Sequence, residues 1–217
     1  MQRDSYPDNT LQIMQILIFG ASNTYGVGDI EGGWSGKLRK FIEAKSMDRS
    51  YIYNLGIPGN TSEDLLRRFE SETKERIREG HETVIMFSVG SNDAQFQHAK
   101  NATKIPIEKY KNNLEKLFKL ARKHTSKVYF VGIPPVDDLR SDPWKPGKSY
   151  KLETVRNYNE AAKQVCGKSR VPFVEILSQF EKNNYKKLLS DGIHANSRGH
   201  ELIFKLVKNY LLKEKII

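Results

Sequence analysis

Ile16-Leu17-Ile18-Phe19 runs straight into Gly20-Ala21-Ser22-Asn23-Thr24-Tyr25-Gly26. A short apolar run rich in β-branched and aromatic residues, closed by glycine, is the pattern of a buried strand ending in a tight turn. Four more such runs follow, at Tyr51–Asn54, Thr83–Ser88, Lys127–Val131 and Pro172–Val174. Helical periodicity fills the stretches 34–44, 62–78, 106–123, 151–166 and 197–212. Short strands alternating with helices predict an α/β fold, a parallel sheet covered by helices on both faces. Thr61 or Ser62 is placed to cap the second helix, with Glu63 and Asp64 favourable in its first turn, and Asn196 or Ser197 to cap the last. Pro106 suits an opening helical position. The stripe Leu202, Ile203, Leu206, Val207, Tyr210 and Leu211 marks the core face of the last helix.

At 217 residues the chain is read as one domain, 1–217, in which the polar stretch 1–12 is a flexible or peripheral N-terminal segment. No secretory signal and no run near the ~20 apolar residues of a membrane span is found, so a cytoplasmic protein without a membrane span is expected. The one cysteine, Cys166, cannot form an intramolecular disulfide and is read as a buried small hydrophobe on a helix. Thirty-six Lys and Arg against 26 Asp and Glu give a formal charge of +10, which raises the question of nucleic acid. The basic residues, among them Lys37, Arg67, Arg68, Lys109 and Lys163, are spread over almost every helical stretch with Glu nearby, as on solvated helix faces. Aromatic residues do not interleave with them as in a single-strand binding platform, and no nucleic-acid partner is expected.

Four segments carry chemistry. Ser22 follows a strand directly and is flanked by glycines, an exposed position that a nucleophilic hydroxyl needs. Asn54-Leu55-Gly56-Ile57-Pro58-Gly59-Asn60-Thr61 and Gly90-Ser91-Asn92-Asp93 leave the carboxyl ends of the second and third strands, the rim where α/β sheets bind ligands. Gly59 allows close approach of a backbone N–H, and the Asn92 amide is a neutral donor, so both suit an oxyanion hole. Asp191-Gly192-Ile193-His194-Ala195-Asn196 precedes the last helix; His194 suits a general base and Asp191 the group that holds its ring. His81, His98, His124 and His200 have no comparable context. The long connection 132–149, with Pro134, Pro135, Pro143, Pro146 and Trp144, is long enough to suggest substrate selection, or else a proline-stiffened loop with Trp144 plugging a core edge.

Ser22, Gly59, Asn92 and His194 in this order, with Asp191, resemble the GDSL-type, or SGNH, hydrolase family, over nearly the whole chain from Ile16 to the final helix. The resemblance implies a flavodoxin-like three-layer sandwich with five parallel strands in the order 2-1-3-4-5. It implies acyl-ester hydrolysis, on lipid, thioester or acetylated-sugar substrates, with no metal or organic cofactor. Ser22, Asp191 and His194 would be catalytic, and Ser22 (through its N–H), Gly59 and Asn92 would form the oxyanion hole. Tyr25 and Trp144 are candidates for lining the substrate site, as are the segments 25–33 and 94–104. Ala21 departs from the family's first block, which carries Asp there, and Ala195 replaces the Pro that customarily follows the histidine.

Two alternatives stand beside a small-molecule ester substrate. A phosphate- or nucleotide-binding module of flavodoxin-like shape would use the Gly20–Gly26 turn, although neither G-x-x-x-x-G-K-[ST] nor G-x-G-x-x-G follows a strand. An acyltransferase would use the same residues. Oligomeric state and the natural ester are left open by the sequence.

Overall fold

The computed structural model describes residues 13–46 and 50–217; the expected N-terminal segment 1–12 lies outside the described residues. Five parallel strands form one sheet: β1 (Met14–Gly20), β2 (Tyr51–Gly56), β3 (Glu82–Ser88), β4 (Val128–Val131) and β5 (Phe173–Val174). Their order is β2-β1-β3-β4-β5, the one the resemblance implied. The chain steps one way from β1 to β2 and the other way from β3 onward, so the connections diverge between β1 and β3. In open α/β sheets that divergence opens a crevice at the carboxyl ends of the strands. Gly20, Gly56 and Ser88 are register partners, so β1, β2 and β3 end in one row at that crevice.

Alternation along the strands sorts the core into two layers. Leu17, Phe19, Ile85, Phe87 and Phe130 pack with α3 (Ser62–Lys74), α4 (Ile107–Ala121) and α6 (Leu152–Ser169). Ile16, Ile18, Val84, Met86 and Val131 pack with α2 (Gly33–Ser46) and α8 (Ser197–Lys213) on the other face. Gln15, the polar interruption in β1, is fully buried because its amide is satisfied at both ends, donating to Thr83 Oγ1 at 2.8 Å and accepting from the Arg78 N–H at 3.0 Å. Cys166 is buried on α6, and burial pushes its thiol up to about 12. Among the described residues no helix is long and apolar enough to cross a membrane.

Helix starts follow the capping chemistry. Thr61 and Asp64 form a capping box on α3, and the Asn196 side chain accepts from the N–H groups of Arg198 and Gly199 at the start of α8. Pro106 stands one residue before α4, as its N-cap. Several short elements have too few residues to show a period: α1 (Ser22–Tyr25), α5 (Asp138–Ser141), α7 (Leu177–Lys182), and a small antiparallel sheet of Ala102–Thr103, Phe96–Gln97 and Lys148–Ser149. That small sheet ties the long 132–149 connection to the segment after β3, pairing Phe96 with Ser149 and Gln97 with Lys148. Two basic residues read as solvated are not: the side chains of Arg68 and Lys37 are only 13% and 15% exposed, each held in ion pairs with Glu72 and with Asp29 and Glu31 respectively.

Candidate active site

Ser22 is the first residue of α1, one turn of helix that starts two residues beyond the end of β1. Its N–H therefore belongs to a helix N-terminus, where donors lack intrahelical partners. Ala21 sits at the N-cap, and no side chain caps the helix. The turn is steadied from elsewhere. The Gly20 carbonyl accepts from the Ile57 N–H at 3.2 Å and from the Arg68 guanidinium at 3.2 Å, and the Asn54 amide donates to the Tyr25 carbonyl at 3.2 Å. The Arg68 guanidinium also donates to the Leu55 carbonyl at 2.7 Å and to Asn60 Oδ1 at 2.9 Å, binding the end of β2 and the turn after it into the same corner.

Across the crevice, His194 Nε2 lies 3.0 Å from Ser22 Oγ, and His194 Nδ1 lies 2.7 Å from Asp191 Oδ2. Burial opposes charge on Asp191, but hydrogen bonds from the His194 ring and from the N–H groups of His194 and Ile193 outweigh it and hold the carboxyl down to about 2. An ionised carboxylate only accepts, so Nδ1 carries the ring proton and Nε2 presents its lone pair to the Ser22 hydroxyl.

The segment bearing this pair is fastened at both sides. Asn23 Oδ1 accepts from the Ala195 N–H at 3.0 Å, which fixes α1 to the residue after the histidine. Arg140 donates to the carbonyls of Ser190 and Lys186 at 3.2 Å each and to Asp137 Oδ2 at 3.1 Å. The Asp137 N–H in turn donates to the Gly192 carbonyl at 2.8 Å.

Asn92 is buried beside the Gly59–Asn60 turn, and its amide nitrogen donates to the Asn60 carbonyl at 2.9 Å. An amide nitrogen carries two protons, and this bond uses one of them. Asn92 Oδ1 accepts from the Tyr150 hydroxyl at 3.0 Å, and that hydroxyl accepts from Gln95 Nε2 at 2.6 Å. The amide cannot flip without breaking this chain. Burial pushes the Tyr150 phenol up to about 12, so it stays a donor. Gly59 has φ 83°, a left-handed conformation that disfavours side chains, and a Cβ there would point into open space. Next to Asn92, Asp93 is fully buried and binds the N–H and hydroxyl of Ser62; burial raises its carboxyl to about 6 despite these bonds.

The structure thus brings Ser22, His194 and Asp191 into one hydrogen-bonded row, with Asn92 lining the same small cavity as Ser22. The Trp144 ring stands 6.2 Å from the His194 ring and 5.6 Å from that of Tyr150, partly buried against the core, so it borders the site and covers a core edge at once. Tyr25 is 56% exposed and does not line the cavity, nor does any residue of 94–104. Tyr150, Gln95, Asn23, Arg68 and Arg140 were not singled out as site residues by sequence. None of them carried a sequence signal, because each acts through contact with another segment of the chain. Among the described residues no cluster of His, Cys, Asp and Glu is arranged to hold a metal ion.

The model of the GDSL-like Lipase/Acylhydrolase family matches residues 18–202. A mouse (Mus musculus) isoamyl acetate-hydrolyzing esterase 1 homolog is 24% identical over 206 residues, covering 88% of this chain and 78% of that protein. Among solved structures, a lipase/acylhydrolase from Enterococcus faecalis superposes with a TM-score of 0.73 at 21% identity, covering 93% of this chain and 96% of the other. An acetylxylan esterase from Geobacillus stearothermophilus does so with 0.72 at 16% identity, covering 91% and 94%. At those identities the two structures establish the shared fold.

Proposed function

The chain belongs to the GDSL-like lipase/acylhydrolase family, and from that premise we propose that it hydrolyses carboxylic esters through a covalent acyl-enzyme on Ser22. The observation that carries this reading is the row Ser22 Oγ, His194, Asp191, with contacts of 3.0 and 2.7 Å. Ser22 Oγ bonds to the ester carbonyl carbon while its proton passes to His194 Nε2. The carbonyl electron pair moves onto oxygen, and that oxyanion is met by the Ser22 and Gly59 N–H groups and the free Asn92 amide proton. Asp191 keeps its charge and stabilises the imidazolium. When the oxyanion collapses, the bond to the leaving oxygen breaks and His194 returns the proton to it, releasing the alcohol. A water then gives its proton to His194 and attacks the acyl carbon; the carbon–Oγ bond breaks, Ser22 recovers its proton, and the acid departs.

Ester cleavage in the names of the relatives agrees with this reading, and family membership weighs against a phosphate-binding module. The test is release of nitrophenol from p-nitrophenyl acetate by the wild type and by Ser22→Ala, with mass spectrometry of an organophosphonate-treated sample. A one-to-one adduct on Ser22 and loss of turnover in the variant are expected. Activity that survives Ser22→Ala undiminished refutes the reading.

A further inference from the structure

Beside Ser22 lies a cavity of about 20 Å³, and its size and position bear on which acyl group the enzyme takes. Ser22 and Asn92 line it, and Val89, Gly90, Ile133 and Pro134 contribute apolar surface to it. A single water needs roughly 10–15 Å³, so a space of this size matches a group of one or two carbon atoms. The far side does not yield easily. Val89 and Ile133 are each 2% exposed, within the closely packed core. A Cβ added at Gly90 would come within 2.7 Å of the Tyr110 hydroxyl and 3.5 Å of Ile133 Cδ1, so side chains stand directly behind the glycine. Tyr110 is fixed there by donating to the Val89 carbonyl at 2.9 Å, and the Ile133 N–H by donating to Asn159 Oδ1 at 3.1 Å.

The geometry also separates the two halves of an ester. His194 must protonate the leaving oxygen, yet His194 does not line this cavity, whereas Ser22 and Asn92 do. The alcohol half therefore departs on the side of His194 and Trp144, and the acyl half is directed into the cavity. We propose that this cavity is the acyl subsite and that it restricts the enzyme to acetyl and propionyl esters, with Ile133 as the wall that excludes butyryl and longer chains. This rests on the ester-hydrolase reading above.

The experiment is kcat/KM for p-nitrophenyl acetate, propionate, butyrate and hexanoate with the wild type, Ile133→Val and Ile133→Ala, each checked by thermal unfolding. One methylene in an apolar pocket changes kcat/KM by roughly 10–200-fold. Butyrate should therefore fall at least about tenfold below acetate in the wild type, and hexanoate further. Ile133→Ala should raise the butyrate-to-acetate ratio by about tenfold or more. The milder Ile133→Val should raise it less and serves if the alanine variant is poorly folded. Butyrate and hexanoate turned over as well as acetate by the wild type, or a ratio unmoved in both folded variants, overturns the subsite while leaving ester hydrolysis intact. No turnover of any of the four esters overturns both.

Discussion

Replacing Tyr150 by Phe removes one oxygen atom, and the structure fixes what that atom does. It donates to Asn92 Oδ1 at 3.0 Å and accepts from Gln95 Nε2 at 2.6 Å, in a residue that is 2% exposed. Each buried polar atom left without its partner costs about 1–3 kcal/mol, and in a chain of this length each kcal/mol lowers the melting temperature by roughly 2–4 °C. The catalytic effect is separable from that loss. The Asn92 amide would keep its bond to the Asn60 carbonyl but lose one of the two bonds that fix its rotation, so on the proposed mechanism its second proton would be held less firmly towards the oxyanion. Complete loss of such a donor lowers kcat by roughly 10²–10³-fold. A donor that is present but badly aimed should forfeit part of this, so kcat on p-nitrophenyl acetate is expected to fall about 10–100-fold. KM should hardly move, because the oxyanion exists only in the transition state. On an Asn92→Ala background the same change should do almost nothing to kcat, since residues acting through one group are not additive. A Tyr150→Phe enzyme with a lowered melting temperature and wild-type kcat would refute the reasoning and reduce Tyr150 to a structural tie.

Asp191→Asn should lower kcat by roughly 10⁴-fold on the proposed mechanism, measured with the same ester, because the amide does not hold the ring in the required tautomer as the carboxylate does. Asp93 has its folded pKa raised to about 6, so its contribution to stability is complete below pH 4 and is lost as pH rises to about 6. The loss amounts to roughly 3 kcal/mol, and urea unfolding across pH 4–7 should show a slope in the wild type that Asp93→Asn flattens. Thr61→Ala removes the capping box of α3 and should cost about 1 kcal/mol in the same assay.

The central sheet was legible because β1, β3 and β4 are buried on both faces and so read as continuous apolar runs, while helices α2, α3, α4, α6 and α8 each present an apolar stripe. The rim was legible because Gly20, Gly56 and Ser88 stop in one row, so whatever follows them in sequence meets in space. What could not be read depends on contacts between distant loops. Tyr150 reaches Asn92 across 58 positions, through two-residue strands that carry no pattern of their own. Asn23 gave no sign that it would hold Ala195, nor Arg68 that it would bridge Gly20, Leu55 and Asn60, because neither residue type announces a long-range partner. The absence of Asp at position 21 was visible, but its consequence was not: the turn takes its support from Ile57, Arg68 and Asn54 instead.

Asn196, two positions after His194, opens α8 as its cap, while its N–H bonds back to the Leu188 carbonyl at 2.9 Å. The histidine is thereby clamped to the last helix, and it meets a serine 172 positions earlier in the chain. On the proposed mechanism Ser22 has no base until α8 has docked against α2 and carried His194 to the crevice. Release of α8 should therefore silence turnover even where the β-sheet persists, so that activity reports on the docking of that one helix.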